Sequence, residues 1–363
     1  MQKRVDVKVE DLRKFSEKIL IKTGLSEEDA RITSDVLLTA DQRGIESHGV
    51  ARLQRYINGV KDGLILSDPE IEIVKETPVS MVIDGGAGMG QPVTYKAMEK
   101  CIEKAKSNFM CFASIRNSNH YGIAGYYTLM ALEGNLIGFS STNSAPLVVP
   151  TFAKNAMIGT NPISIGVPAK DRYPFLLDMA TSTVPRGKLE VYARAEKDIP
   201  EVWATDEHGN PASNPARVLD NLVNRRGGGL SPLGGSQELT GGHKGYGLSA
   251  MVDILSGIFS NGTVGRDIYG KEGEPAEVCH FIGAINPEAF AGLENIQNKM
   301  DYYIEMLKSN QKVDGENKIY VAGEKEYDAY YKNQKTLSLQ NKVFNNLNKI
   351  GAEFSMSLAR HND

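Results

Sequence analysis

The sequence predicts an α+β protein: a non-Rossmann, mainly antiparallel or mixed β-sheet domain, accompanied by a helical domain built from both chain termini. Three observations lead there. At 363 residues the chain exceeds the size of most single compact cores, so two domains are expected. Between Leu136 and Met179 the short β-rich runs Leu136–Thr142, Met157–Gly159, Ile163–Pro168 and Phe175–Met179 are separated only by polar turns. Such turns leave no room for crossover helices, which argues against a doubly wound parallel sheet. Helical periodicity then marks both ends of the chain, and the expected division is residues 1–75, 76–286 and 287–363, the last completing the first domain.

Taken in order, Val9, Leu12, Phe15, Ile19 and Leu20 recur at helical spacing up to a stop at Gly24. Ser26 to Asp29 resembles a capping box that opens a second helix towards Gly44. In the stretch that follows, Ser47 as an N-cap would put Val50, Leu53, Ile57 and Val60 on one face of a third helix, with His48, Arg52 and Tyr56 at four-residue spacing on another. Val79–Asp84 reads as a strand, and Gly85–Gly90 as a tight turn into a helix from Pro92 to Ala105. This turn holds G-x-G at Gly86 and Gly88, but Gln91 stands where a dinucleotide fingerprint needs its third glycine. Met110–Ile115 is a strand and Ile123–Leu132 a helix. Beyond Met179, an Ala-rich helix runs to about Glu196, residues 206–243 read as a long Gly/Pro/Asn-rich loop, and Lys244 opens an apolar helix reaching Phe259. Val278–Ile285 returns to strand, and Leu293–Met306 and Leu337–Ile350 read as helices.

Composition narrows the function. With 41 Lys+Arg against 45 Asp+Glu, the net charge of -4 gives no basic field for nucleic acid. No apolar run reaches the roughly 18 residues of a membrane span, and no apolar signal core follows Met1, so a cytoplasmic protein is expected. Cys101, Cys111 and Cys279 are odd in number and lie in apolar runs, as buried thiols do.

Several polar constellations remain. His120 sits on a strand-to-helix corner, where reactive groups are exposed; a satisfied, half-buried ring beside a Ser118-Asn119 helix cap is the rival reading. An imidazole, a guanidinium and a phenol at His48, Arg52 and Tyr56 could hold a small carboxylate, although a solvated helix face would have the same pattern. Lys244 beside glycines at a helix start suits an anion such as a phosphate. Oxidising a 2-hydroxy acid by hydride transfer needs a base, a cation for the carboxylate and a nicotinamide, and this inventory supplies the protein's share with no metal. A metal hydrolase using His48, His120 and Asp178 lacks any H-x-x-x-H spacing. No G-x-S-x-G elbow marks a serine nucleophile.

Five motifs occur in one order: Ser47-His48-Gly49-Val50 with Arg52 and Tyr56; Arg116 to Tyr127; Gly159-Thr-Asn-Pro162; Asp178-Met-Ala-Thr-Ser182 with Arg186-Gly-Lys188; and Gly242-His-Lys-Gly-Tyr-Gly247. Together they closely resemble the malate/L-lactate dehydrogenase family of the second type, which includes ureidoglycolate, sulfolactate and diketogulonate oxidoreductases. The resemblance runs from about residue 10 to Phe290. It implies NAD or NADP (NAD favoured) bound on a mainly antiparallel sheet, a 2-hydroxy/2-oxo acid substrate, and a homodimer with no nucleic-acid or membrane partner. It further implies His120 as the principal acid/base, with His48, the proton donor in some members, as the second catalytic histidine, Arg52 as the carboxylate clamp and Tyr56 as a substrate-binding residue, with Thr160 and Asn161 nearby. Ser144, Asp178, Met179, Ala180, Lys244 and Gly245 would line the cofactor, and no residue is assigned to a metal. Pro185 departs from the family's usual alanine, at a helix start that tolerates proline. The alternatives are a non-catalytic small-molecule binding protein on the same scaffold, or a dehydrogenase for ureidoglycolate or sulfolactate.

Overall fold

The computed structural model describes residues 3–270 and 272–361. Its chain order is β1 (Arg4–Lys8), α1 (Val9–Thr23), α2 (Glu27–Gln42), α3 (Leu53–Lys61), β2 (Glu72–Glu76), β3 (Ser80–Asp84), α4 (Gly90–Asn108), β4 (Met110–Ser118), α5 (Ala124–Glu133) and β5 (Ile137–Thr142). There follow β6 (Ile163–Val167), β7 (Phe175–Met179), α6 (Arg186–Arg194), β8 (Ala204–Thr205), α7 (Pro215–Val223), β9 (Gly229–Leu230), α8 (Gly242–Asp253), β10 (Val278–Ile285), α9 (Leu293–Lys308), α10 (Glu324–Lys332), β11 (Thr336–Gln340) and α11 (Asn341–Glu353).

The seven-stranded central sheet has the order β2-β3-β4-β10-β5-β6-β7. Only β3 and β4 run parallel, because α4 is the single crossover between neighbouring strands; every other pair is antiparallel. α4 and α5 cover one face, burying Val93, Ala97, Met98, Cys101 and Tyr127 against Ile83, Ala113, Ile115 and Ile282. The other face receives the π-helical turn Ile254–Ile258 that extends α8. There Ser114 donates its hydroxyl to the carbonyls of Leu255 and Ser256.

Both chain ends share one core. Val5, Val7, Leu12, Ile19, Leu37, Leu53 and Tyr56 pack with Leu337, Leu339, Phe344, Leu347 and Ile350. β1 and β11 pair antiparallel over five residues. The reading of Leu337–Ile350 as one helix is corrected here: its first four residues belong to β11, and the alternation Leu337-Ser338-Leu339 is the period-two signal that partners Val5 and Val7. Not all of the C-terminal segment lies with those helices. The Asp301 carboxylate of α9 accepts from the backbone N–H groups of Lys170, Asp171 and Arg172, which seats α9 on the β6–β7 turn.

Two further expectations change. Met157–Gly159 is no strand; Ile158 makes only an isolated bridge to Val148. Residues 206–243 are not a plain loop. Asn214 caps α7 by accepting from the Arg217 N–H, and Pro215 starts the helix where a missing N–H costs nothing. α6 and α7 close a small separate core of Val148, Val184, Leu189, Ala204, Val218 and Leu230. The three cysteines are free and buried. Among the described residues no helix is long and apolar enough to cross a membrane.

Candidate active site

One end of the sheet gathers almost every singled-out segment. The pairings Asp84↔Arg116, Ser118↔Val278, Thr142↔His280, Ser141↔Ile163 and Ile163↔Met179 bring the ends of β3, β4, β5 and β7 and the starts of β6 and β10 to the same edge. The Gly85–Gly90 turn, His120, Ser144, Thr160, Asn161 and Asp178–Ala180 therefore emerge side by side.

The turn at Gly85–Gly90 holds protein, not phosphate. Asn119 donates its amide to the carbonyls of Ala87 and Gly88, and the N–H groups of Gly85 and Ala87 bond the carbonyls of Arg116 and Asn117. A β-carbon on Gly90 would lie 2.2 Å from the Asn119 carbonyl oxygen. This turn pins the segment that carries His120. Neither Ser118 nor Asn119 caps α5, whose N-cap is Ile123 with no side-chain bond.

His120 meets the N-terminal helices directly. The Tyr56 hydroxyl lies 2.7 Å from His120 Nδ1, and the rings of His48 and His120 stack with centroids 5.6 Å apart. The Gly122 N–H also donates to Nδ1, at 3.4 Å, which marks that nitrogen as an acceptor and leaves the hydrogen of the neutral ring on Nε2. Burial holds the His120 pKa well below its ordinary value, reinforced by Arg55, His48 and Arg52. Burial, with Arg52 and Arg55 nearby, pushes His48 down to about 4. Burial lifts the fully enclosed Tyr56 to about 12. Both imidazoles are thus neutral at pH 7.

The turn bearing His48 and Arg52 is held from beneath. Ser47 is not a helix cap: its hydroxyl contacts His48 Nδ1 at 2.8 Å, Val50–Arg52 form a 3-10 turn, and α3 begins at Leu53. The cap is Asp41, whose buried carboxylate accepts from the Val50 N–H at 2.8 Å and which burial raises to about 7. A β-carbon on Gly49 would fall 2.0 Å from that carboxylate. Arg52 is exposed and donates Nε to the Ser47 carbonyl, leaving the rest of its fork directed outward. Arg55, one turn on, bonds the Tyr269 hydroxyl. Sequence reasoning passed over Arg55, although its place three residues after Arg52 was the available signal.

A second cluster is a closed network. Ser144 Oγ accepts from the Thr160 N–H, while buried Asn161 accepts from the Ser144 N–H and donates to the Ser249 carbonyl of α8. Thr181 donates to the carbonyls of Thr160 and Asn161. Both amide atoms of Asn161 are thus engaged inside the fold. The Asp178 carboxylate accepts from the Gly125 N–H at the start of α5, and burial raises it to about 6 against the nearby Arg43. Met179 and Ala180 continue that edge, partly buried. At α8, the N–H groups of Gly242 and Lys244 are already bonded to the carbonyls of Gln237 and Gly241. Two of the first four amides of α8 are therefore engaged within the fold, the Lys244 side chain is exposed, and Gly245 is packed against the Leu233 backbone.

Behind both clusters lies His280, fully buried and stacked on Tyr121 at 4.5 Å. Thr142 donates its hydroxyl to the Cys279 carbonyl, so it accepts from His280 Nδ1, and His280 Nε2 accepts from Ser118. This bridge ties the His120 strand to the Ser144 strand.

Comparison with known proteins fits this geometry. The sequence profile of the malate/L-lactate dehydrogenase family matches residues 7–348. The malate dehydrogenase of Pyrococcus abyssi is 47% identical over 347 residues, 95% of this chain and 94% of that protein. The L-sulfolactate dehydrogenase of Methanocaldococcus jannaschii is 38% identical over 97% of this chain and 98% of its own length. The crystal structure of malate dehydrogenase from Entamoeba histolytica superposes with a TM-score of 0.93 at 35% identity, covering 98% of this chain and 99% of that one. Fold, site and relatives define an oxidoreductase that acts on the CH–OH group of a small hydroxy acid. The chain belongs to the malate/L-lactate dehydrogenase family.

Proposed function

We propose that the protein is an NAD(P)-dependent dehydrogenase, NAD being favoured, that interconverts a dianionic 2-hydroxy acid of the malate type with its 2-oxo acid. The observation that carries this reading is the Tyr56–His120 contact with His48 stacked on it, a proton-handling group assembled where the two parts of the chain meet. His120 presents Nε2–H to the substrate oxygen and exchanges the proton there, while Tyr56 holds Nδ1. Arg52 clamps the 2-carboxylate, and Arg55 supplies a second cation one turn away for the far acid group. Two cations favour malate over lactate, in keeping with relatives named malate and sulfolactate dehydrogenases.

The donor set on the sheet edge suits a dinucleotide: Ser144 and Thr160 hydroxyls, the Asp178–Ala180 edge, and Lys244, which no carboxylate pairs among the described residues. A bound nicotinamide would supply or accept the hydride. Asn161 acts by holding this ledge, not by touching the substrate. We further read the chain as divided near residues 75 and 286, as a cytoplasmic protein, and as a homodimer. In support of the dimer, α8 and its π-helical turn expose Leu248, Met251, Ile254, Ile258 and Phe259 in one apolar stripe.

The test mixes purified protein with NADH or NADPH and oxaloacetate, pyruvate, sulfopyruvate or oxalurate, and follows the nicotinamide absorbance. Oxidation with oxaloacetate well above pyruvate is expected. No turnover together with no NAD(H) binding by calorimetry would remove the dehydrogenase reading.

A further inference from the structure

Gln91 stands at the second position of α4, directly beneath the catalytic segment, because the glycine before it packs against the backbone of Asn119 and His120. Its side chain is fully buried, yet neither Oε1 nor Nε2 has a hydrogen-bond partner. One turn further, Thr94 is also fully buried with an unbonded hydroxyl. Interiors rarely keep an amide unsatisfied without a use for it, since burying it unbonded costs stability. The Gln91 amide lies beside the Tyr56 hydroxyl and eases the rise that burial imposes on that phenol, as do Arg55 and Arg52. No solvent reaches either amide atom, so Gln91 is enclosed within the fold.

We propose that Gln91 is a positioning residue for proton transfer: its Nε2 donates to the Tyr56 oxygen, aiming the phenol's hydrogen at His120 Nδ1. This rests on the dehydrogenase reading above. In the direction of oxo-acid reduction, His120 Nε2–H gives its proton to the carbonyl oxygen as the hydride arrives at carbon. Nδ1 takes the Tyr56 proton in the same step, so the ring stays neutral. The new O–H and N–H bonds replace the broken N–H and O–H bonds, and the charge left on the enclosed Tyr56 is held by the Gln91 amide, with Arg52 and Arg55 nearby, until a solvent proton taken up at His120 Nε2 lets Nδ1 return its proton to Tyr56. Such catalytic hydrogen bonds close fully only around bound substrate, which accounts for an amide that sits beside its acceptor without yet bonding it.

The experiment compares wild type with Gln91→Leu and the isosteric Gln91→Glu, which offers acceptors where a donor is required. Turnover and KM for the oxo acid are measured, together with the imidazole 15N shifts of His120 in the substrate-free protein. Both variants should lower kcat about tenfold with KM within about twofold, and should move the His120 shifts away from the Nε2–H form. Unchanged kcat and unchanged His120 shifts in Gln91→Glu, or a raised KM at constant kcat in either variant, would overturn the proposal. Should Gln91→Leu not fold, Gln91→Glu alone decides. If wild type itself turns over no acid, the dehydrogenase reading falls, and the 15N comparison still judges Gln91 separately.

Discussion

The two halves of the site are built on opposite terms. Around Ser144, Thr160, Asn161, Thr181 and Ser249, backbone and side-chain bonds interlock and fix a shape. Around His48, Tyr56 and His120, the two imidazoles stack and the phenol lies tilted against His120, with Arg52 and Arg55 nearby, and among the described residues nothing bonds His120 Nε2. The first arrangement spends its amide and backbone groups on its own shape and keeps the Ser144 and Thr160 hydroxyls on its edge. The second keeps a proton position open at His120 Nε2 and its imidazoles uncharged at neutral pH, so a proton given at Nε2 has to be matched by one taken at Nδ1.

If that contrast is right, substitutions on the two sides must fail differently. The largest effect is expected for His120→Ala, which should reduce kcat by about a hundredfold to ten-thousandfold while calorimetry finds cofactor affinity nearly unchanged. A near-normal kcat in this variant, with turnover lost in His48→Ala, would transfer the proton to His48. On the other side, Asn161→Ala should leave unpaired groups in a buried network and cost about 2–3 kcal/mol of stability, read from chemical denaturation. Stability as high as wild type would mean the network is not the clamp described. Arg52→Ala should raise KM for the oxo acid about tenfold to a hundredfold, the range expected for a charge-assisted bond, and Arg55→Ala should narrow the preference for oxaloacetate over pyruvate.

The last comparison concerns pH. Burial drops the pKa of His280 from 6.5 to about 3. The folded state therefore keeps this ring neutral, whereas the unfolded chain protonates it, so its contribution is present above about pH 6.5 and is lost as pH falls towards 3. The loss is up to about 1.4 kcal/mol per pH unit. Asp41 and Asp178, whose pKa values are raised, pull the other way, so a total curve would blur the effect. The comparison with His280→Gln isolates it: the variant's stability should fall less steeply between pH 6.5 and 4, and parallel curves would show that His280 does not titrate there.

Much of this was legible in the chain. Gly24 ends α1 with φ 116°, Ser26 caps α2, and β7 and β10 have the expected limits, because each signal is local. The missed elements depend on distant partners. β1 and β11 are five residues each and depend on each other as partners from opposite ends of the chain, their inward residues closing the same core. α7 was hidden among glycines and prolines, although Asn214-Pro215 announced it. Asp41 and Gln91 had no motif, since each acts on a group of another element that only the fold brings near, the Val50 N–H for Asp41 and the Tyr56 hydroxyl for Gln91.

By itself, the sequence determined the residue types able to do the chemistry, the mainly antiparallel sheet and the helical ends, since periodicity, turn chemistry and short connections are read within a dozen residues. Only the tertiary structure decided that Tyr56 meets His120, separated by 64 positions, that Asp41 caps the His48 turn, and that the Gly242 and Lys244 amides at the start of α8 are already bonded. Those outcomes follow from which strand ends share one edge of the sheet and how two buried surfaces close over it. Long-range packing sets both, and no local pattern encodes them.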